Sequence, residues 1–89
     1  MVAWRIEAAD AFYDSLAALD DTAETAKVVE ALVHRATSRP ASAPELRGLK
    51  VRAVRSRSWG AYPALRLFYT FDGEAVRLLS VEPWDELNP

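Results

Sequence analysis

The chain has 89 residues, 51% hydrophobic and 27% charged, with three each of Trp, Tyr and Phe and a net charge of −2. This composition supports one folded domain, 1–89, that buries roughly 60 to 65% of its unfolded surface, and it excludes a disordered chain. With no cysteine and a single histidine, His34, a disulfide framework, a thiolate metal site and an imidazole cluster are excluded, so neither metal nor cofactor is expected.

At the N-terminus, Met-Val-Ala-Trp-Arg-Ile-Glu lacks the pattern of a signal peptide, and no stretch nears the ~18 to 20 apolar residues that span a bilayer. A cytoplasmic protein with no membrane partner is the expectation. Val2, Trp4 and Ile6 alternate with Ala3, Arg5 and Glu7, the period of a half-buried strand. Ala9, Phe12, Tyr13, Leu16 and Leu19 then recur at helical spacing and predict a helix over 8–19. Asp20-Asp21 ends it, and Asp21-Thr22-Ala23-Glu24 reads as an N-cap for a second helix. That helix carries the stripe Thr25, Val29, Leu32, Val33 and Ala36; His34 falls opposite the stripe and reads as solvated.

Residues 38–44, with Pro40 and Pro44, form a connector. Three strands follow, over 49–58, 64–71 and 75–82, the last two joined by the hairpin signal Asp72-Gly73. The fold class is α+β in the order β-α-α-β-β-β, with both helices on one face of an antiparallel-rich sheet and the other face open.

Charge is segregated along this order. Residues 46–71 hold Arg47, Lys50, Arg52, Arg55, Arg57 and Arg66 without one Asp or Glu, while both ends of the chain are acidic. A two-residue turn at Asp72-Gly73 pairs Phe71 with Glu74, Tyr69 with Val76, Leu67 with Leu78 and Leu65 with Ser80, facing the helices. Arg66, Phe68, Thr70, Arg77, Leu79 and Val81 then face outward. A β-bulge near Ala53-Val54 would turn Val51, Val54 and Ser56 inward and Lys50, Arg52, Arg55 and Arg57 outward. Guanidinium forks with a phenyl ring among them suit RNA better than an apolar small molecule. The apolar residues Phe68, Leu79 and Val81 on that face predict that a partner's segment or a homodimer contact covers part of it. Trp59 and Tyr62, between the second and third strands, read either as stacking groups or as pins holding a loop to the domain edge, the latter favoured for Trp59, and Trp84 reads as core filling.

Trp4-Arg5-Ile6, Leu46-Arg47-Gly48-Leu49-Lys50, Leu65-Arg66-Leu67-Phe68-Tyr69 with Asp72, and Leu78-Leu79-Ser80-Val81 together resemble the RelE/ParE superfamily of bacterial type II toxins across nearly the whole chain. The resemblance implies two helices packed on an antiparallel sheet and a cognate antitoxin partner. In the RelE branch it implies an mRNA interferase, a metal-independent endoribonuclease acting on mRNA at the ribosome. Arg66 would stabilise the scissile phosphate, with Arg55, Arg52 or Arg57 binding phosphate; Lys50, Arg77 and Phe68 complete the RNA-binding set. The chain departs from that branch after the final strand. Glu82-Pro83-Trp84-Asp85-Glu86-Leu87-Asn88-Pro89 stands where a basic residue and then a Tyr or His belong, leaving Glu82 as the base and no acid beside it. Two alternatives stay open: a ParE-like inhibitor of DNA gyrase without catalysis, and a degenerate module that only binds an antitoxin.

Overall fold

A computed structural model describes residues 4–85. Their elements are β1 (Arg5–Ala8), α1 (Asp10–Ala17), α2 (Ala23–Ser38), β2 (Arg52–Arg55), β3 (Leu65–Phe71) and β4 (Ala75–Pro83). The strands form one sheet in the order β1-β4-β3-β2. Strand β1 runs parallel to β4, and the other two pairings are antiparallel. The expected order and class hold. Val2 of the first predicted strand and 86–89 of the tail lie outside the described residues.

Both helices sit on one face of the sheet and enclose the core. Phe12 comes from α1; Val28, Leu32 and Ala36 from α2; Val54, Leu65, Leu67, Tyr69, Val76, Leu78 and Val81 from the strands. The second helix starts one residue later than predicted. Its cap is Thr22, whose hydroxyl accepts from the Thr25 N–H at 3.1 Å, rather than Asp21. Its buried stripe includes Val28, which the sequence pattern passed over, while Val29 and Val33 lie at its margin. Helix α1 is shorter than predicted, and Tyr13, assigned to its buried face, is 60% exposed. Ile6 is likewise 59% exposed although its cross-strand neighbour Val76 is fully buried, as happens on an edge strand that no helix covers. His34 is exposed, as its helical position predicts.

The register corrects the sequence reading at three places. First, β2 is a regular four-residue strand with no bulge, pairing Arg52 with Tyr69, Ala53 with Phe68, Val54 with Leu67 and Arg55 with Arg66. Second, the β3–β4 turn is wider than two residues. Asp72 Oδ1 accepts the N–H of Glu74 and of Ala75, both at 2.8 Å, while Gly73 takes a φ of +94° that a side chain disfavours. Phe71 therefore pairs with Val76, Tyr69 with Leu78 and Leu67 with Val81, two or three residues further along than expected. Third, the irregularity expected in β2 lies in β4, where Leu79 has no partner between the Phe68–Ser80 and Tyr69–Leu78 pairs. That extra residue reverses the parity beyond it, so Val81 is buried in the core and is not an open-face residue.

Candidate functional site

Alternation along β3 sends Leu65, Leu67 and Tyr69 into the core and Arg66, Phe68 and Thr70 to the open face. Arg66 lies directly across from Arg55 of β2 on one side and Glu82 of β4 on the other. Its Nη2 donates to Glu82 Oε1 at 3.0 Å, and its guanidinium lies 4.7 Å from the centre of the Phe68 ring. Arg66 Nε is buried and makes no hydrogen bond among the described residues. An orphaned buried donor on a cation is an unmet hydrogen-bonding demand that marks Arg66 out from the other arginines.

Arg55 faces Arg66 across a pair whose main chains do not bond each other, the arrangement that brings cross-strand side chains closest. Its own carbonyl turns away from β3 and accepts from Arg35 Nη1 of α2 at 2.8 Å. Its guanidinium stacks over Trp84, 5.1 Å from the ring centre. Trp84 is held in turn by its indole N–H donating to the Ser56 carbonyl at 2.9 Å and by its main-chain N–H reaching the Ala64 carbonyl at 3.3 Å. It is half-buried and lies outside the core, so its role is to carry Arg55 rather than to fill the interior. Two like charges held opposite each other are unfavourable alone, and an anion between them relieves that repulsion.

A cleft of about 510 Å³ runs along the free edge of β2 from this point, with Arg35, Arg55 and Arg57 among its walls, Trp84 at one side, and no acidic residue in its lining. Arg35 is the functional candidate that the sequence did not reveal. Its helical position marks it only as an exposed residue of α2, and its proximity to β2 is a product of packing.

The remaining predicted residues divide. Arg57 is exposed two residues past the end of β2 and lines the cleft. Lys50 precedes β2 in a turn, so it belongs to no strand face. Arg77 is exposed on β4 opposite Thr70, four positions along β3 from Arg66 and so ~13 Å from it. Arg52, predicted to face RNA, instead points to the helix side beside Tyr69. Its Nη1 donates to the carbonyls of Ala41 and Ala43, and its Nη2 pairs with Glu45 at 3.5 Å. It fastens the connector to the sheet. The arginines of the acid-free run are thus not all unpaired, because Glu45, immediately before the run, and Glu82, on the neighbouring strand β4, meet two of them in space. Phe68 is half-buried beneath Arg66.

Tyr69 is fully buried and its hydroxyl donates to the Pro40 carbonyl at 2.7 Å; burial pushes its phenol above the ordinary value, against the opposing pull of Arg52 and Arg35. It is a core group, not a proton donor for the open face. Among the described residues no three His, Cys, Asp or Glu side chains cluster as metal ligands, and no helix is long and apolar enough to cross a membrane.

No protein-family model matches the chain, and no curated protein matches it. Solved structures do. The free state of an E. coli RelE toxin carrying two arginine-to-alanine substitutions superposes with a TM-score of 0.68 at 19% identity, over 92% of this chain and 84% of that one. The same mutant toxin in complex with a peptide of the antitoxin RelB gives 0.65 at 21% identity, over 97% and 88%. The intact E. coli RelBE toxin–antitoxin complex gives 0.63 at 23% identity, over 94% and 100%. The chain has the RelE toxin fold.

Proposed function

We propose that this chain is the toxin of a type II toxin–antitoxin pair and that it cuts mRNA on the ribosome through the Arg66 site. The observation that carries this reading is the placement, on the open face of a RelE fold, of Arg66 with an unsatisfied buried Nε, opposite Arg55 and in contact with Glu82. The solved neighbours are RelE and its antitoxin complex, which favours the RelE-like reading over gyrase inhibition.

In the proposed reaction the scissile phosphate sits between Arg66 and Arg55. The ribose 2′-oxygen attacks phosphorus while Glu82 takes the 2′-hydroxyl proton. The bond from phosphorus to the 5′-oxygen breaks, and that oxygen takes a proton from water. A 2′,3′-cyclic phosphate and a 5′-hydroxyl result. The two guanidiniums oppose the charge that builds on the phosphorane, and a fixed pair of cations needs no reorganisation to do so. The partners are mRNA on the ribosome and an antitoxin that masks the toxin.

The test is to express the chain and map mRNA 5′ ends on translating ribosomes beside a gyrase supercoiling assay. New 5′ ends that vanish in Arg66→Ala support cleavage. Gyrase inhibition with intact mRNA refutes it, and so does the absence of both activities.

A further inference from the structure

We propose that Trp59, two and four residues along the chain from Arg57 and Arg55, is a stacking platform for an unpaired base of single-stranded RNA; the proposal rests on reading the arginine face as an RNA surface. The segment between β2 and β3, expected as a loop, closes as a miniature hairpin. The Trp59 N–H donates to the Tyr62 carbonyl at 3.0 Å and the Tyr62 N–H to the Trp59 carbonyl at 2.9 Å. Gly60 supplies the φ of +58° at the first of the two turn positions.

This closure places the two rings 6.2 Å apart and only 18° from parallel. Tyr62 does the anchoring. It packs against the core cluster and borders a slot with Val28 and Leu32 of α2, while Trp59 remains 79% exposed. The expectation that Trp59 itself pins the loop to the domain edge is corrected. One face of the indole is backed by an immobilised ring and the remainder meets solvent.

An aromatic exposed to this degree contributes little to folding, and its ordering cost has already been met by the hairpin and by Tyr62. Its surroundings select the ligand. Arg55 and Arg57 precede it by four and two residues, and no acidic residue lies anywhere in 46–71. An exposed ring with guanidiniums close by in the chain is a combination that suits single-stranded nucleic acid, with stacking for the bases and cations for the backbone. An apolar peptide would seek a groove, whereas Trp59 stands proud of the surface.

The test is fluorescence anisotropy with a labelled oligoadenylate of ~12 nucleotides, long enough to cover a site of this size. Trp59→Ala should bind about tenfold more weakly with an unchanged salt slope. Trp59→Phe, which keeps an aromatic face, should bind close to the parent, and Trp59→Leu should behave like the alanine variant. Thermal melts of all three should match the parent, because the side chain is exposed. If Trp59→Ala binds as tightly as the parent, stacking is refuted while RNA binding by the arginines stands. If Trp59→Leu retains full affinity, the contact is not stacking and the proposal fails. A parent protein that does not bind the oligonucleotide at low salt overturns both this inference and the RNA reading beneath it.

Discussion

Arg52 and Arg55 are three residues apart in one basic run, yet the structure turns them to opposite faces of the sheet, and substituting each to alanine separates their roles. Arg52 lies with its side chain only 18% exposed, its guanidinium bonded to the Ala41 and Ala43 carbonyls and paired with Glu45. The ion pair contributes little, since the Glu45 side chain is 52% exposed and such pairs are worth about 0 to 1 kcal/mol. The bonds from a charged donor to two connector carbonyls contribute more, and Arg52→Ala should cost about 2 to 3 kcal/mol in all. In a domain of this length that lowers the melting temperature by about 10 to 20 °C. Arg55, exposed and bonded through its carbonyl rather than its side chain, should cost under about 1 kcal/mol when truncated. Urea titrations followed by circular dichroism measure both. RNA binding should rank the pair the other way. Arg55→Ala should reduce the salt slope for a single strand by about 0.7, and Arg52→Ala should leave it unchanged. An Arg52→Ala protein as stable as the parent, or one with a reduced salt slope, would refute the assignment of Arg52 to the connector.

Glu82→Gln removes the partner that competes with phosphate for Arg66, so oligonucleotide affinity should rise a few-fold while ribosomal cleavage falls by about a hundredfold or more, measured by anisotropy and by 5′-end mapping. Tyr69→Phe leaves the buried Pro40 carbonyl without its donor and should cost about 1 to 2 kcal/mol by denaturant titration, with RNA affinity unchanged. The parent's Tyr69 phenol, raised by burial, makes a contribution to stability that is complete below the ordinary tyrosine value of about 10 and is lost as pH climbs through its higher folded value, which an alkaline unfolding series in the Phe variant should lack. Asp72 titrates in the opposite sense. The Ala75 and Glu74 N–H groups, with a smaller contribution from Arg5, hold its carboxyl below the ordinary value, so its contribution is present above about pH 3.9 and lost as pH falls through the lower folded value. A carboxyl-carbon NMR titration of Asp72 should show that lowered midpoint, and an ordinary midpoint would contradict the turn geometry.

Periodicity made the element order legible because each element keeps its own spacing: Phe12 and Leu16 on α1, Leu32 and Ala36 on α2, Leu65, Leu67 and Tyr69 on β3. It placed Arg66 and Phe68 correctly for the same reason, since β3 is a regular strand whose alternation is fixed by three buried residues. It failed where main-chain geometry departs from a regular period. The turn after Phe71 is set by two bonds to the Asp72 carboxylate, and the Asp72-Gly73 dipeptide is compatible with either turn length. In β2, Arg52 resembles a surface residue by type, but a long side chain with a charged tip can lie on a core face when it reaches carbonyls at the rim. Arg35 was invisible because its link to β2 spans 20 residues and depends on how α2 lies across the sheet.

The unpaired Leu79 is what joins the hydrophobic core to the candidate chemistry. From Leu78 inward, a regular strand would send Ser80 and Glu82 to the core and Val81 to the open face. Burying the Glu82 carboxylate among Leu65, Leu67 and the helices would cost several kcal/mol, and exposing Val81 would forfeit its apolar burial. One inserted residue reverses both outcomes. Val81 reaches 1% exposure opposite Leu67, and its N–H, lying beyond the last residue that β1 pairs, is taken by Ser15 Oγ of α1 at 2.9 Å. Glu82 emerges across from Arg66 within hydrogen-bond distance. The pair is about a third exposed on average and therefore adds little stability, so packing of Val81 rather than attraction between the charges accounts for the bulge. The carboxylate beside Arg66 is thus held in place by the core, so that in the proposed reaction Arg66 could turn from it to a phosphate without loosening the strand that carries it.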